Sequence, residues 1–129
     1  KTFLLNCVYE RAVSRGISAV RIEAFRAFEA MRRQHFSGEN INNDFTSLLD
    51  VELLLIDDLG TEPLMRNITV EYLFLLLSER MTSGRHTFIA TNLSSKQLQE
   101  RYGDRVYSRL FDMRATAAIE LTGKDLRRL

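Results

Sequence analysis

Cysteine is all but missing from this 129-residue chain. Cys7 stands alone, which excludes an internal disulfide framework and fits a reducing cytoplasm. It lies in an apolar stretch and reads as a small core residue. No apolar run approaches the ~18 residues that a membrane-spanning helix requires, so no membrane partner is expected. No signal peptide, internal repeat or low-complexity tract appears. Charge of one sign is also lacking: 18 basic and 17 acidic residues leave a net charge of +1. Nucleic-acid binding, if present, must come from a local basic patch. His35 and His86 belong to no cluster at metal-ligand spacing and read as structural. G-x-S-x-G, H-E-x-x-H and C-x-x-C are all absent, against the common serine-hydrolase and zinc chemistries. The chain opens at Lys1 without an initiator methionine, and reads as an excerpt of something longer, one domain at most.

What is present centres on Leu53-Leu54-Leu55-Ile56-Asp57-Asp58-Leu59-Gly60. Four consecutive apolar residues predict a strand buried on both faces, as in the middle of a parallel sheet. Ligands of open α/β sheets bind at the carboxyl ends of strands, where Asp57 and Asp58 fall. Two adjacent acids there need compensation. A magnesium ion held by one or two carboxylates and a nucleotide's phosphates would supply it. The plainer reading is a strand that ends in solvent before a Leu-Gly turn.

On either side, helical and strand patterns alternate. Helices are predicted over residues 3–15 (closed by Gly16), 23–35 and 45–49, with a short strand at 19–22. The second helix carries Phe25, Phe28 and Met31 inward, with the arginines off that stripe. A polar loop spans 37–44. Beyond Pro63, the only proline, Asn67 or Thr69 is placed to cap a deeply buried helix that carries Tyr72 to Leu77 and ends at Gly84. Residues 86–91 read as another inner strand. Ser94 or Ser95 caps the next helix, which stops at Gly103; Asp104 opens a second over 105–112. A last strand is expected at 116–121, and a basic tail at 124–129. The alternation predicts an α/β fold, a parallel sheet with helices on both faces.

Several residues then acquire candidate roles. Lys1-Thr2 opens a helix some fifty residues before the Asp-Asp strand. It matches the last two positions of a phosphate-binding loop, G-x-x-x-x-G-K-[ST]. There the lysine reaches the phosphates, the threonine hydroxyl meets magnesium and the helix N-terminus faces the anion. The loop's glycines are not in this chain, and a Lys-Thr pair alone signifies little. Asn92, just past a strand, is either a turn residue or the amide that orients a water for attack on the γ-phosphate beside Asp58. Arg105 and Arg109 fall opposite Val106, Tyr107, Leu110 and Phe111 on a helical wheel and are expected to project outward; a solvated face is the ordinary explanation. Arg26, Arg32 and Arg33, with Lys96 and Arg101 elsewhere, are basic residues suited to a phosphate backbone.

Taken together, Leu54-Leu55-Ile56-Asp57-Asp58-Leu59-Gly60, Ile89-Ala90-Thr91-Asn92-Leu93 and Glu100-Arg101-Tyr102-Gly103-Asp104-Arg105-Val106-Tyr107-Ser108-Arg109-Leu110 resemble the bacterial helicase-loader ATPases of the DnaC/DnaI type. These are AAA+ P-loop proteins close to the IstB transposition helpers. The resemblance runs from Lys1 almost to the end and implies an AAA+ ATPase domain over 1–129, incomplete at its N-terminus and without a clear helical lid. It implies ATP and Mg2+ as cofactors, with Lys1, Thr2 and Asp57 binding them, Thr2 and Asp57 on the metal. Asp58 would stand where many AAA+ proteins carry a catalytic glutamate, Asn92 as sensor 1, and Arg109 as the arginine finger, with Arg105 the alternative. Arg114 is the one candidate for a lid-borne arginine. The implied partners are the replicative DNA helicase, single-stranded DNA and further copies of the chain through the ATPase interface. A transposition helper and a nucleotide-binding adaptor with little hydrolysis remain alternatives.

Overall fold

The computed structural model describes residues 1–38 and 42–123. The elements run α1 (Thr2–Ser14), β1 (Ala19–Glu23), α2 (Ala24–Phe36), α3 (Asn43–Asp50), β2 (Leu53–Leu59), α4 (Thr69–Thr82), β3 (His86–Thr91) and α5 (Ser95–Leu110). The three strands form one parallel sheet in the order β1-β2-β3.

β2 is the axis of the fold, as its unbroken apolar run requires. Successive side chains of a strand point to opposite faces. Leu54 and Ile56 accordingly enter the larger core with Phe28, Met31, Leu73, Leu76 and Val106, while Leu53 and Leu55 meet Leu5 and Ala12 of α1. Helices therefore cover both faces. Burial of these four residues stabilises the fold by about 1.5–3 kcal/mol each, as an upper estimate.

Capping follows local chemistry. The Asn42 side chain accepts from the backbone N–H groups of Asp44 and Phe45 at 2.9 and 3.3 Å and opens α3. Ser94 and Gln97 form a reciprocal capping box for α5. α5 is broken at Gly103, whose φ of 81° favours glycine, into two helical segments. Thr69 does not cap α4 in the expected sense: its hydroxyl donates to the Pro63 carbonyl at 2.7 Å and accepts from Met65 N–H at 2.8 Å, and so folds the preceding turn. Asn67 adopts a φ of 61° in that turn. The Asp104 carboxylate accepts from the Gln99 side-chain amide, not from the segment it opens.

At the amino ends of the strands, Arg80 is wholly buried. No described acid pairs with it. Its guanidinium instead donates to the carbonyls of Leu48, Val51 and His86 at 2.8, 2.8 and 2.6 Å, and Nε to the Thr87 hydroxyl at 2.9 Å. The carbonyl of Leu48 belongs to the last turn of α3, where a helix dipole favours a cation. Burial, and to a lesser extent the Arg85 charge, push the Arg80 pKa down to about 10; the group remains a cation below that pH.

Besides those caps, four expectations fail. Residues 116–121 are exposed and adopt no regular structure. Cys7 is exposed, because only Leu5 and Ala12 of α1 are buried and the rest of its apolar face is open. Phe25 is 48% exposed; the buried stripe of α2 is made by Ala24, Ala27, Phe28, Ala30 and Met31. β3 is an outer strand of the described sheet, with Phe88 47% exposed. The expected basic tail at 124–129, like 39–41 of the polar loop, lies outside the described residues.

Candidate functional site

The carboxyl end of β2 and the start of α1 meet at one end of the sheet. α1 begins at Thr2 with Lys1 in the capping position, no side-chain cap and no acid in its first turn. Its leading N–H groups and the Lys1 ammonium thus make one positive pole. That ammonium donates to Asn92 Oδ1 at 2.5 Å and to the Thr91 carbonyl at 2.7 Å, immediately past β3. The first and ninety-second residues, singled out separately in the sequence, are thereby in direct contact.

Asp57 pairs in register with Glu23 and lies on the α1 face with Leu53 and Leu55, since strand side chains alternate. It is buried, and both of its oxygens are engaged: Oδ1 accepts from the Asp58 N–H at 3.0 Å and Oδ2 from Arg21 Nη2 at 3.1 Å. Asp58 is exposed, with a φ of 54°, inside an irregularity of the β2–β3 pairing. The backbone turns here, and so the two adjacent acids part company: one is held inside, the other presented to solvent. The turn is tied down by the Thr61 hydroxyl on the Asp58 carbonyl (2.8 Å) and the Thr91 hydroxyl on the Leu59 carbonyl (2.6 Å). A Cβ at Gly60 would stand 2.5 Å from Leu93 Cδ1, and the φ of Gly60 is 108°.

The donor set fits a magnesium-bound polyphosphate. Lys1 and the bare start of α1 suit phosphate oxygens, and the Thr2 hydroxyl suits the metal. One buried carboxylate is what magnesium ordinarily takes from a protein when phosphates complete its shell. No group of three or more His, Cys, Asp or Glu capable of holding a metal exists among the described residues, so a metal caged by protein side chains alone is not on offer.

The remaining sequence candidates lie elsewhere. Arg109 is not free: it is half-buried, its Nε lies 3.1 Å from Ser78 Oγ and its guanidinium 5.3 Å from the Phe74 ring of α4. Arg105 is exposed but lies 4.2 Å over that same ring. The wheel reading holds for Val106, Leu110 and Phe111, which pack on the core, while Tyr107 is half-buried and packs its ring on Phe111; what it missed is that α4 supplies an aromatic platform at the edge of that face. Of the basic cluster, Arg32 pairs with Glu29 at 3.1 Å and Arg33 with Asp44 at 3.0 Å. The Arg32 hydrogen bond holds the Glu29 carboxyl below its ordinary value. Arg26 alone of the three makes no ion pair with a described residue.

Two groups escaped the sequence reading. Arg21 carried a weak signal, a lone charge within Ala19-Val20-Arg21-Ile22. Glu62 carried none. Its buried carboxylate accepts from Gly60 N–H at 2.8 Å and from the Tyr102 hydroxyl, and its carbonyl accepts from Arg101. Burial and the Glu62 charge push the Tyr102 phenol up. The turn after β2 is thus joined to the first segment of α5.

No curated protein sequence matches the chain. Solved structures do. A DnaA from Aquifex aeolicus bound to AMPPCP is 25% identical with a TM-score of 0.64, over 84% of this chain and 33% of that one. A DnaC helicase loader is 22% identical with a TM-score of 0.68, over 88% and 64%. Domain III of the Thermotoga maritima replication initiation protein DnaA is 23% identical with a TM-score of 0.66, over 84% and 45%. The chain thus spans a third of the Aquifex DnaA and under two thirds of the DnaC it matches. These likenesses establish an AAA+-like fold related to DnaA and DnaC. The family of IstB-like ATP binding proteins matches residues 1–119, and with that coverage the chain belongs to it.

Proposed function

We propose that residues 1–129 are the ATPase domain of a helicase loader, which binds and hydrolyses ATP with Mg2+ and places the replicative DNA helicase on single-stranded DNA. The observation that carries the ATP site is the Lys1–Asn92 contact beside the buried Asp57 carboxylate. In this reading Lys1 and the start of α1 hold the phosphates, with Thr2 and Asp57 turned toward the metal. When bound, the metal neutralises charge on the transferring phosphoryl group. Asp58, free in solvent, accepts the proton of the attacking water, and Asn92 orients that water. Arg109 acts on the site of a neighbouring copy, after leaving its place on α4.

The loader reading is supported by the DnaC likeness and by the motif resemblance. A second reading, an ATPase helper that delivers a transposase, is favoured by membership of the IstB-like family. The two separate in a pull-down with the protein as bait: replicative helicase or transposase. The ATP site itself is tested by Asp57→Asn and Asp58→Asn. Asp57→Asn is expected to abolish magnesium-dependent hydrolysis while circular dichroism remains native. Asp58→Asn is expected to keep nucleotide affinity and lose turnover. Wild-type hydrolysis by Asp57→Asn would remove the assignment.

A further inference from the structure

Arg21 occupies the carboxylate oxygen that a cation would need. It rises from β1 two residues before Glu23, the register partner of Asp57, and its Nη2 lies 3.1 Å from Asp57 Oδ2. The other oxygen, Oδ1, is taken by the Asp58 N–H. Each Asp57 oxygen therefore already accepts one hydrogen bond, and the carboxylate charge is compensated by Arg21. A buried carboxylate without a partner is costly, and Arg21 removes that cost with no metal in place.

Arg21 itself is left unsatisfied. Its Nε is buried and has no hydrogen-bond partner, while the side chain as a whole is 27% exposed. A buried donor without an acceptor calls for an explanation. Here the same guanidinium is bonded to Asp57, the carboxylate to which the proposed metal site is assigned. A divalent cation approaching Asp57 alone meets a fixed positive charge at its one carboxylate ligand. A cation that arrives with a polyphosphate brings acceptors for the guanidinium it displaces, the orphaned Nε included.

We infer that Arg21 is a positioning residue that stands in for the cation at Asp57, so that the site admits a divalent cation only in company with a polyphosphate. The inference rests on the ATP-site reading above and adds the order in which its ligands can be accepted.

The test uses Mn2+ as the probe, followed by its paramagnetic signal, and ATP in the presence of a chelator as the second ligand. Neither readout requires turnover. Wild type is expected to bind free Mn2+ far more weakly than Mn2+ with nucleotide. Arg21→Met is expected to bind free Mn2+ about tenfold more tightly than wild type, because a repelling charge is gone, and to bind metal-free ATP more weakly. Arg21→Lys, which keeps the charge, is expected to exclude free Mn2+ as wild type does. A merely structural arginine would lower stability in both variants and leave the contrast between free and nucleotide-borne metal intact. If Arg21→Met does not fold, Arg21→Gln, which retains a donor for Asp57, takes its place. Free Mn2+ affinity within twofold of wild type in the neutral variants overturns the inference, as does a wild type that binds free and nucleotide-borne Mn2+ equally. Failure of wild type to bind ATP with any metal overturns the ATP site instead.

Discussion

Replacing Arg80 by methionine keeps length and removes the charge. The structure allows the cost to be worked out. Leu48 would ordinarily receive a hydrogen bond from the N–H four residues on, but Glu52 N–H is given to Ser18 Oγ at 3.1 Å. Val51 caps α3 in an extended conformation and has no intrahelical donor. Both carbonyls depend on Arg80. Leaving a buried acceptor unmade costs about 1–3 kcal/mol, so these two account for about 2–6 kcal/mol. The His86 carbonyl and Thr87 hydroxyl lose a donor as well. Against this, methionine abolishes the desolvation that depresses the Arg80 pKa. A net loss of about 2–4 kcal/mol is expected, the cost of the unmade acceptors less the desolvation that ends with the charge. That is a large share of the ~5–15 kcal/mol that stabilises a domain. Urea unfolding followed by circular dichroism measures it as a lower midpoint at unchanged slope. Nucleotide affinity of the folded fraction is expected to stay constant, because Arg80 lies at the strand ends opposite Asp57. A loss below ~1 kcal/mol would refute the accounting of unmade hydrogen bonds.

Arg109→Ala is expected to leave nucleotide affinity unchanged and to cut turnover of the assembled form by ~10³ or more, the scale of arginine fingers. Mixing it with Lys1→Ala should restore activity above the sum of the two, and a merely additive mixture would confine Arg109 to its α4 contact. Gly60→Ala should lower stability, since the added Cβ meets Leu93 Cδ1 at 2.5 Å and the backbone holds a φ of 108°; an unchanged melting temperature would contradict that geometry. Arg26→Ala should reduce the salt slope of single-stranded DNA binding by roughly one ion, and more than Arg32→Ala or Arg33→Ala, whose charges are paired. Slopes unchanged from wild type in all three variants would sink the assignment of DNA contact to α2.

The fold was legible because the periods are strong. The four-residue apolar run of β2 dictated a strand covered on both faces, and the cap at Ser94 obeys a local rule that no tertiary contact overrides, whereas Asn42, which caps α3, lay in a stretch read as loop. The Asp57, Asp58, Asn92 end of the sheet was legible for the same reason: polar residues that end apolar strands in a parallel sheet must gather at one edge. What escaped depends on partners distant in sequence. Cys7 and Phe25 are as apolar as any core residue, yet whether a helix face is covered is decided by what packs on it. Arg21 and Glu62 bond to residues 36 and 40 positions away, and no spacing rule reaches that far. The helical wheel placed Val106 inside and Arg105 outside correctly, but set Arg109 outward where α4 holds it half-buried against Ser78 and Phe74.

The left-handed backbone at Asp58 bears on which acid this position can hold. Aspartate and asparagine enter that conformation several-fold more readily than other side chains that carry a β-carbon, because their short polar arms bond locally. A glutamate would reach further toward a water but fits that turn less well. The shorter acid is thus a matter of backbone shape as much as of proton affinity. Exchange for the longer one is expected to add about 1 kcal/mol of backbone strain at this position.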